Sequence, residues 1–146
     1  MLFLYVENHV KKCVNGLIKK YGTSNMIDIV YTNKNLCIWF CELTDDVNGY
    51  YKYFSPRKQI MVINENLTRH GKQCALFHEY GHCLLKHKGK TFSNSNSGVY
   101  TKEEYEADMV SAYMFIIHNH IDNERINEIV LPPRVMYLVS KFLNKY

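Results

Sequence analysis

The chain has 146 residues, 47% hydrophobic and 22% charged, with a formal net charge of +4. That length suits one domain, and a chain of this size buries enough surface to hold a core without staples. The balance excludes a disordered chain, and no apolar run approaches the ~18 residues of a membrane helix, the longest being about six, such as Leu36–Cys41. The N-terminal Met1–Val6 is too short and lacks the basic lead of a secretory signal.

In chain order, Val6, Val10, Cys13, Val14, Leu17, Ile18 and Tyr21 recur at helical spacing and predict a first helix stopped at Gly22. Thr23 or Ser24 is placed to cap a second short helix reaching about Tyr31, although Ile27, Ile29 and Val30 also suit a strand. Leu36–Cys41, Tyr50–Phe54 and Ile60–Ile63 read as three strands. Asp45–Gly49 is the turn before the second, and Ser55-Pro56 joins the last two as a hairpin. Helical spacing returns from about Leu67 to Lys88, with Leu76, Phe77, Tyr80, Leu84 and Leu85 on its apolar side. Lys88–Tyr100, centred on Ser93-Asn94-Ser95-Asn96-Ser97-Gly98, has the composition of a mobile loop. Thr101-Lys102-Glu103-Glu104 is a capping box opening a helix to about His118. Asp122 is placed to cap a short helix, and Pro132-Pro133 starts a last one with Val135, Leu138, Val139 and Leu143. The expected class is α+β: a small three-stranded sheet packed with a helical bundle, in a single domain over residues 1–146.

Cys13, Cys37, Cys41, Cys74 and Cys83 are an odd number without CxxC spacing. They are expected to be reduced, mostly buried thiols, and the chain is expected in the cytoplasm. Lys11, Lys12, Lys19 and Lys20 form the solvated face of the first helix, and no nucleic-acid contact or membrane association is expected.

The chemistry concentrates in His78-Glu79-Tyr80-Gly81-His82. Residues i and i+4 of a helix share a face, so His78 and His82 can hold one Zn²⁺. Glu79 can then reach the attacking water without ligating the ion. A catalytic zinc needs a third protein ligand, and Glu103, Glu104, Glu106, Asp108, His118 and His120 are the downstream candidates. Glu106 shares a stripe with Val110, Tyr113 and Ile117; Glu103 lies one turn earlier near that stripe, so periodicity does not separate the two. Glu104 is accounted for by the capping box. Asp108 is a candidate to orient a ligating histidine, and Tyr100, Tyr105 and the late histidines are candidates to stabilise an oxyanion. His9, His70 and the His118-Asn119-His120 run have no partner carboxylate at ligand spacing, so a second metal site is not expected.

Gly49-Tyr50-Tyr51, Ile60-Met61-Val62-Ile63-Asn64, the H-E-x-x-H and Glu106-Ala107-Asp108 together resemble the ImmA/IrrE family of metallopeptidases, from the first helix to about Phe115. The resemblance implies a gluzincin-like ligand set of His78, His82 and Glu106, with Glu79 as the catalytic base. It also implies a protein substrate, such as a phage-type helix-turn-helix repressor. The family follows Glu-Ala-Asn/Asp with Phe-Ala and a Leu-Met-Pro ending, which Met109–Ile117 lacks. His87 lies one residue from the place of a histidine common in the family and is assigned no role. The missing ending leaves room for a zinc-stabilised protein that sequesters a regulator without cutting it. A toxin-like protease is a third reading.

Overall fold

The computed structural model describes residues 2–88, 91–94 and 100–144. Helix α1 (Leu2–Tyr21) buries Val6, Val10, Val14 and Leu17. Gly22 follows it with φ +69°, a left-handed stop that suits glycine. Helix α2 (Met26–Thr32) is capped by Asn25 rather than by Thr23 or Ser24. The Asn25 carboxamide accepts from the amides of Ile27 and Asp28, while Thr23 Oγ1 accepts from the Asn25 amide.

Strand β1 (Leu36–Cys41) is where the sequence places it, and β2 (Val47–Ser55) and β3 (Lys58–Asn64) form the expected hairpin, but β2 starts at Val47 and takes in residues 47–49 that the sequence reads as turn. β1 pairs with β3 in parallel. A fourth strand, β4 (Thr91–Asn94), adds antiparallel to β2, giving the order β1-β3-β2-β4. It lies inside the segment whose composition reads as loop; the rest of that segment, 89–90 and 95–99, lies outside the described residues. Asn64, at the end of β3, is buried and pins the β1–β2 connection. Its amide nitrogen donates to the carbonyls of Thr44 and Val47, and its oxygen accepts from the Leu43 and Asn66 amides.

Helix α3 (Arg69–Leu84) is capped by Thr68, whose hydroxyl accepts from the Gly71 amide. It lies against β2 and β3 on one side and α4 (Lys102–Asn119) on the other, and α4 packs in turn on α1 and on α5 (Pro133–Asn144). A 3₁₀ turn, Arg125–Glu128, stands where Asp122 announces a short helix, and Asp122 Oδ1 accepts from the amides of Glu124 and Arg125. No helix among the described residues is long and apolar enough to cross a membrane.

All five cysteines are free. The expectation of mostly buried thiols holds only for Cys74; Cys37 is exposed on β1, at the edge of the sheet, and the other three are half-buried. Burial pushes Cys74 up to about 12 and Cys83 up to about 11, which keeps both as thiols.

The α3–α4 contact decides where the site sits, and small residues set its closeness. A Cβ on Gly81 would lie 3.1 Å from Val110 Cβ and 3.3 Å from Ala107 Cα. Nearby, Ser111 donates its hydroxyl to the Cys74 carbonyl at 2.8 Å. Gly81→Val is therefore expected to destabilise the fold by about 1–3 kcal/mol through overpacking, read as a lower urea midpoint. An unchanged midpoint would mean that α4 can shift without cost.

Candidate metal centre

His78 and His82 occupy one face of α3, one turn apart, with ring centroids 5.0 Å from each other. Both are buried, as is Glu79 between them. The carboxylate opposite is that of Glu104 on α4. Its Oε1 lies 3.2 Å from His78 Nε2 and its Oε2 lies 2.9 Å from His82 Nε2. The ligand atoms of His78, His82 and Glu104 all fall within 4.8 Å of one another, the one such group of three among the described residues. Glu106, which the resemblance aligns with the third ligand, is not in it. Its carboxylate is turned to His87, with Oε1 2.9 Å from His87 Nε2.

The reason lies in how α4 is buried. Ala107, Asp108, Met109, Val110, Ser111 and Ala112 are all buried, because α1, α3 and α5 surround the helix. The apolar stripe through Glu106 therefore does not single out the side that meets α3: Val110 of that stripe packs on Gly81, and Glu104, Ala107, Asp108 and Ser111, spaced i, i+3, i+4 and i+7, reach α3 as well. The capping box is half made: Thr101 Oγ1 accepts from the Glu104 amide at 3.1 Å, while the Glu104 side chain turns to the histidines instead of back to Thr101.

Each imidazole is held from behind. His78 Nδ1 bonds Asp108 Oδ1 at 2.8 Å, and Tyr100 donates its hydroxyl to Asp108 Oδ2 at 2.5 Å. The Arg134 guanidinium lies 3.9 Å above the Tyr100 ring. Tyr100, a sequence candidate for oxyanion stabilisation, is thus bonded to the carboxylate behind His78; Tyr105 stands edge-on to it at 6.3 Å. His82 Nδ1 lies 2.8 Å from His87 Nδ1, and the His82 ring stacks on Tyr51 of β2 at 6.1 Å. Tyr51 donates to Gln59 Oε1 at 2.9 Å, and Cys83 Sγ donates to the same oxygen. His118 is occupied elsewhere, against Ser24 Oγ at 2.8 Å, and exposed His120 ends α4 in a left-handed conformation. Glu103 takes no part in the cluster.

The electrostatics match the geometry. Burial pushes the Glu104 carboxyl up, but the two imidazoles that face it, His78 and His82, outweigh this and hold it at about 2. Burial lowers His78 too, yet Glu79, Asp108 and Glu104 more than reverse this and leave it well above its ordinary value. Burial wins at His82 and lowers it, which favours a neutral ring with a free lone pair.

These residues fit a divalent metal. Two nitrogens and a carboxylate converge in a buried space, where a cluster of mutually facing acceptors is costly without a cation. His82 Nε2 and Glu104 Oε2 are close, but at angles that make no hydrogen bond, and each is buried with no hydrogen-bond partner among the described residues. The Nε2–carboxylate separations approach the roughly 3.3 Å expected between neighbouring ligands of a tetrahedral ion with bonds of ~2.0–2.1 Å.

Comparison with known proteins agrees. No solved structure matches the chain. Among curated proteins, it is 33% identical over 100 residues to "Uncharacterized immunity region protein 2" of Bacillus phage phi105, covering 68% of this chain. It is 30% identical over 112 residues, 73% of this chain, to "Metallopeptidase ImmA" of Bacillus subtilis (strain 168). Each match spans 61% of the relative's own length. Residues 33–134, which hold the sheet, α3 and α4, match the IrrE N-terminal-like domain of peptidase family M78. With the motif helix, the facing carboxylate and this match in agreement, the chain belongs to the ImmA/IrrE family.

Proposed function

We propose that this chain is a zinc-dependent endopeptidase of narrow specificity, working in the cytoplasm on a partner regulatory protein such as a phage-type helix-turn-helix repressor. The observation that carries the reading is the cluster of buried His78 and His82 with half-buried Glu104, and buried Glu79 beside it. Two imidazoles and one carboxylate are the donor set of a catalytic zinc that keeps a position open. The names of the two relatives, a metallopeptidase and a phage immunity-region protein, favour a protein substrate in a regulatory setting.

In this reading His78 and His82 would hold the metal through Nε2 and Glu104 through its carboxylate. Asp108, braced by Tyr100, keeps the His78 ring turned so that Nε2 faces inward. The metal, when bound, supplies Lewis acidity toward the substrate carbonyl and acidifies the attacking water. Glu79, with Oε2 4.0 Å from His78 Nε2, borders the same space. It takes the proton from the water as the new C–O bond forms and delivers it to the leaving amine as the C–N bond breaks.

The test uses the chain dialysed against metal-free buffer and then offered zinc. One zinc per chain by elemental analysis is expected. On incubation with a phage-type helix-turn-helix repressor that it recognises, two fragments whose masses sum to the intact repressor plus one water are expected. A stable complex with both masses unchanged would replace cleavage by sequestration. A chain that takes up no zinc would overturn the metallopeptidase reading.

A further inference from the structure

The turn that ends α3 does more than stop the helix. The Lys86 amide bonds the Cys83 carbonyl at 3.2 Å and the His87 amide bonds the His82 carbonyl at 2.8 Å, with Lys86 at φ +61°. This is a Schellman turn, in which the residue after the left-handed position folds back over the residue five before it. An apolar contact commonly joins those two positions, whereas here both are histidines. His87 is buried, only 6% exposed, and its far nitrogen meets Glu106 on α4. The backbone of the helix end thus sets one imidazole behind another, and a carboxylate behind that.

We propose that His87 is a positioning residue for the metal centre: with Glu106 it fixes the His82 ring and the nitrogen on which its hydrogen sits. The proposal rests on the metallopeptidase reading and deepens it. Two Nδ1 atoms 2.8 Å apart share a single hydrogen, so one ring donates and the other accepts. The Glu106 carboxylate, an acceptor only, requires a hydrogen on His87 Nε2. A neutral His87 then has a lone pair at Nδ1, and the shared hydrogen belongs to His82 Nδ1. That leaves the His82 Nε2 lone pair aimed at the space bounded by His78 and Glu104. The opposite assignment puts a hydrogen on His82 Nε2, where it blocks ligation, and sets the His87 Nε2 lone pair against a carboxylate. Asp108 does the same service for His78 from the other side, so the two ligands are held by two different devices.

The experiment measures zinc affinity of the full chain by competition with a chromophoric chelator, beside the melting temperature of the metal-free protein. His87→Leu keeps bulk but removes the acceptor, and is expected to weaken zinc binding about 10–100-fold. His87→Asn places a carbonyl oxygen near the lost Nδ1 and is expected to recover most of that affinity, while both variants melt alike without metal. Wild-type affinity in His87→Leu would overturn the proposal, as would an Asn variant as weak as the Leu one, since packing alone would then be at issue. A loss as complete as that of His82→Leu would make His87 a ligand and overturn it too. Failure of the wild type to bind zinc is a different result, which removes the metal-site reading itself.

Discussion

Glu104→Gln is expected to lose far more metal affinity than Glu106→Gln, although the resemblance to the family points to Glu106. The Glu104 carboxylate reaches both Nε2 atoms, at 3.2 and 2.9 Å. Its carboxyl is held at about 2 by the two imidazoles against the pull of burial, so it is ionised at neutral pH. Glutamine would leave a neutral amide in a buried space arranged for a cation, and its NH₂ would compete for the position of the metal. The expected loss exceeds the ~10–100-fold typical of a partner behind the ligands. Glu106→Gln retains an oxygen that can accept from His87 Nε2, so only a few-fold change is expected. Chelator competition at one pH on the three proteins decides. The reverse ranking would require the Glu106 carboxylate to leave His87 Nε2 and displace Glu104 from between the two histidines.

The elements with strong local signals were legible in the residues. Leu36–Cys41 is β-branched and aromatic enough to be a strand wherever it packs, and Pro132-Pro133 fixes the start of α5 through its backbone restriction. The pair His78 and His82 is read directly from the helical repeat, since i and i+4 face the same way in any α-helix. β4 has no such signal. Its Ser and Asn residues are ordinary loop formers, and it becomes a strand only because β2 offers an open edge.

That the Glu104 carboxylate faces the two histidines was hidden for a different reason. Periodicity orients a helix with one apolar face, and α4 is covered by α1, α3 and α5 at once. A subtler signal was present: Gly81, Ala107 and Ser111 are small, and small residues mark the line along which two helices come closest. Glu104 and Asp108 lie on the Ala107–Ser111 side of α4, at i−3 and i+1 from Ala107. The capping box misdirected because one residue serves twice, its amide to Thr101 and its side chain to the histidines. His87 could not be found by spacing at all. Its position depends on a left-handed Lys86, a conformation that the side chain gives no reason to expect.

Glu79→Gln is expected to leave zinc binding within a few-fold of wild type and to lower the cleavage rate by about 10²–10⁴-fold, the usual worth of a positioned general base. The side chain is fully buried between the two histidines, and its Oε2 lies 4.0 Å from His78 Nε2, at the border of the cluster rather than in it. Glutamine keeps the shape and an acceptor oxygen but cannot take a proton at neutral pH. The lost step is therefore proton transfer, and the metal ligands stay in place. The separation of the two readouts is what identifies the role. Loss of zinc together with activity would move Glu79 among the ligands, whereas undiminished cleavage with zinc retained would assign the base to another group. With the repressor as substrate, the variant should also hold it intact for longer, because binding persists while hydrolysis does not. A Glu79→Gln chain that co-elutes with the uncut repressor, beside a wild type that yields fragments, would join the binding and cleaving steps in one molecule.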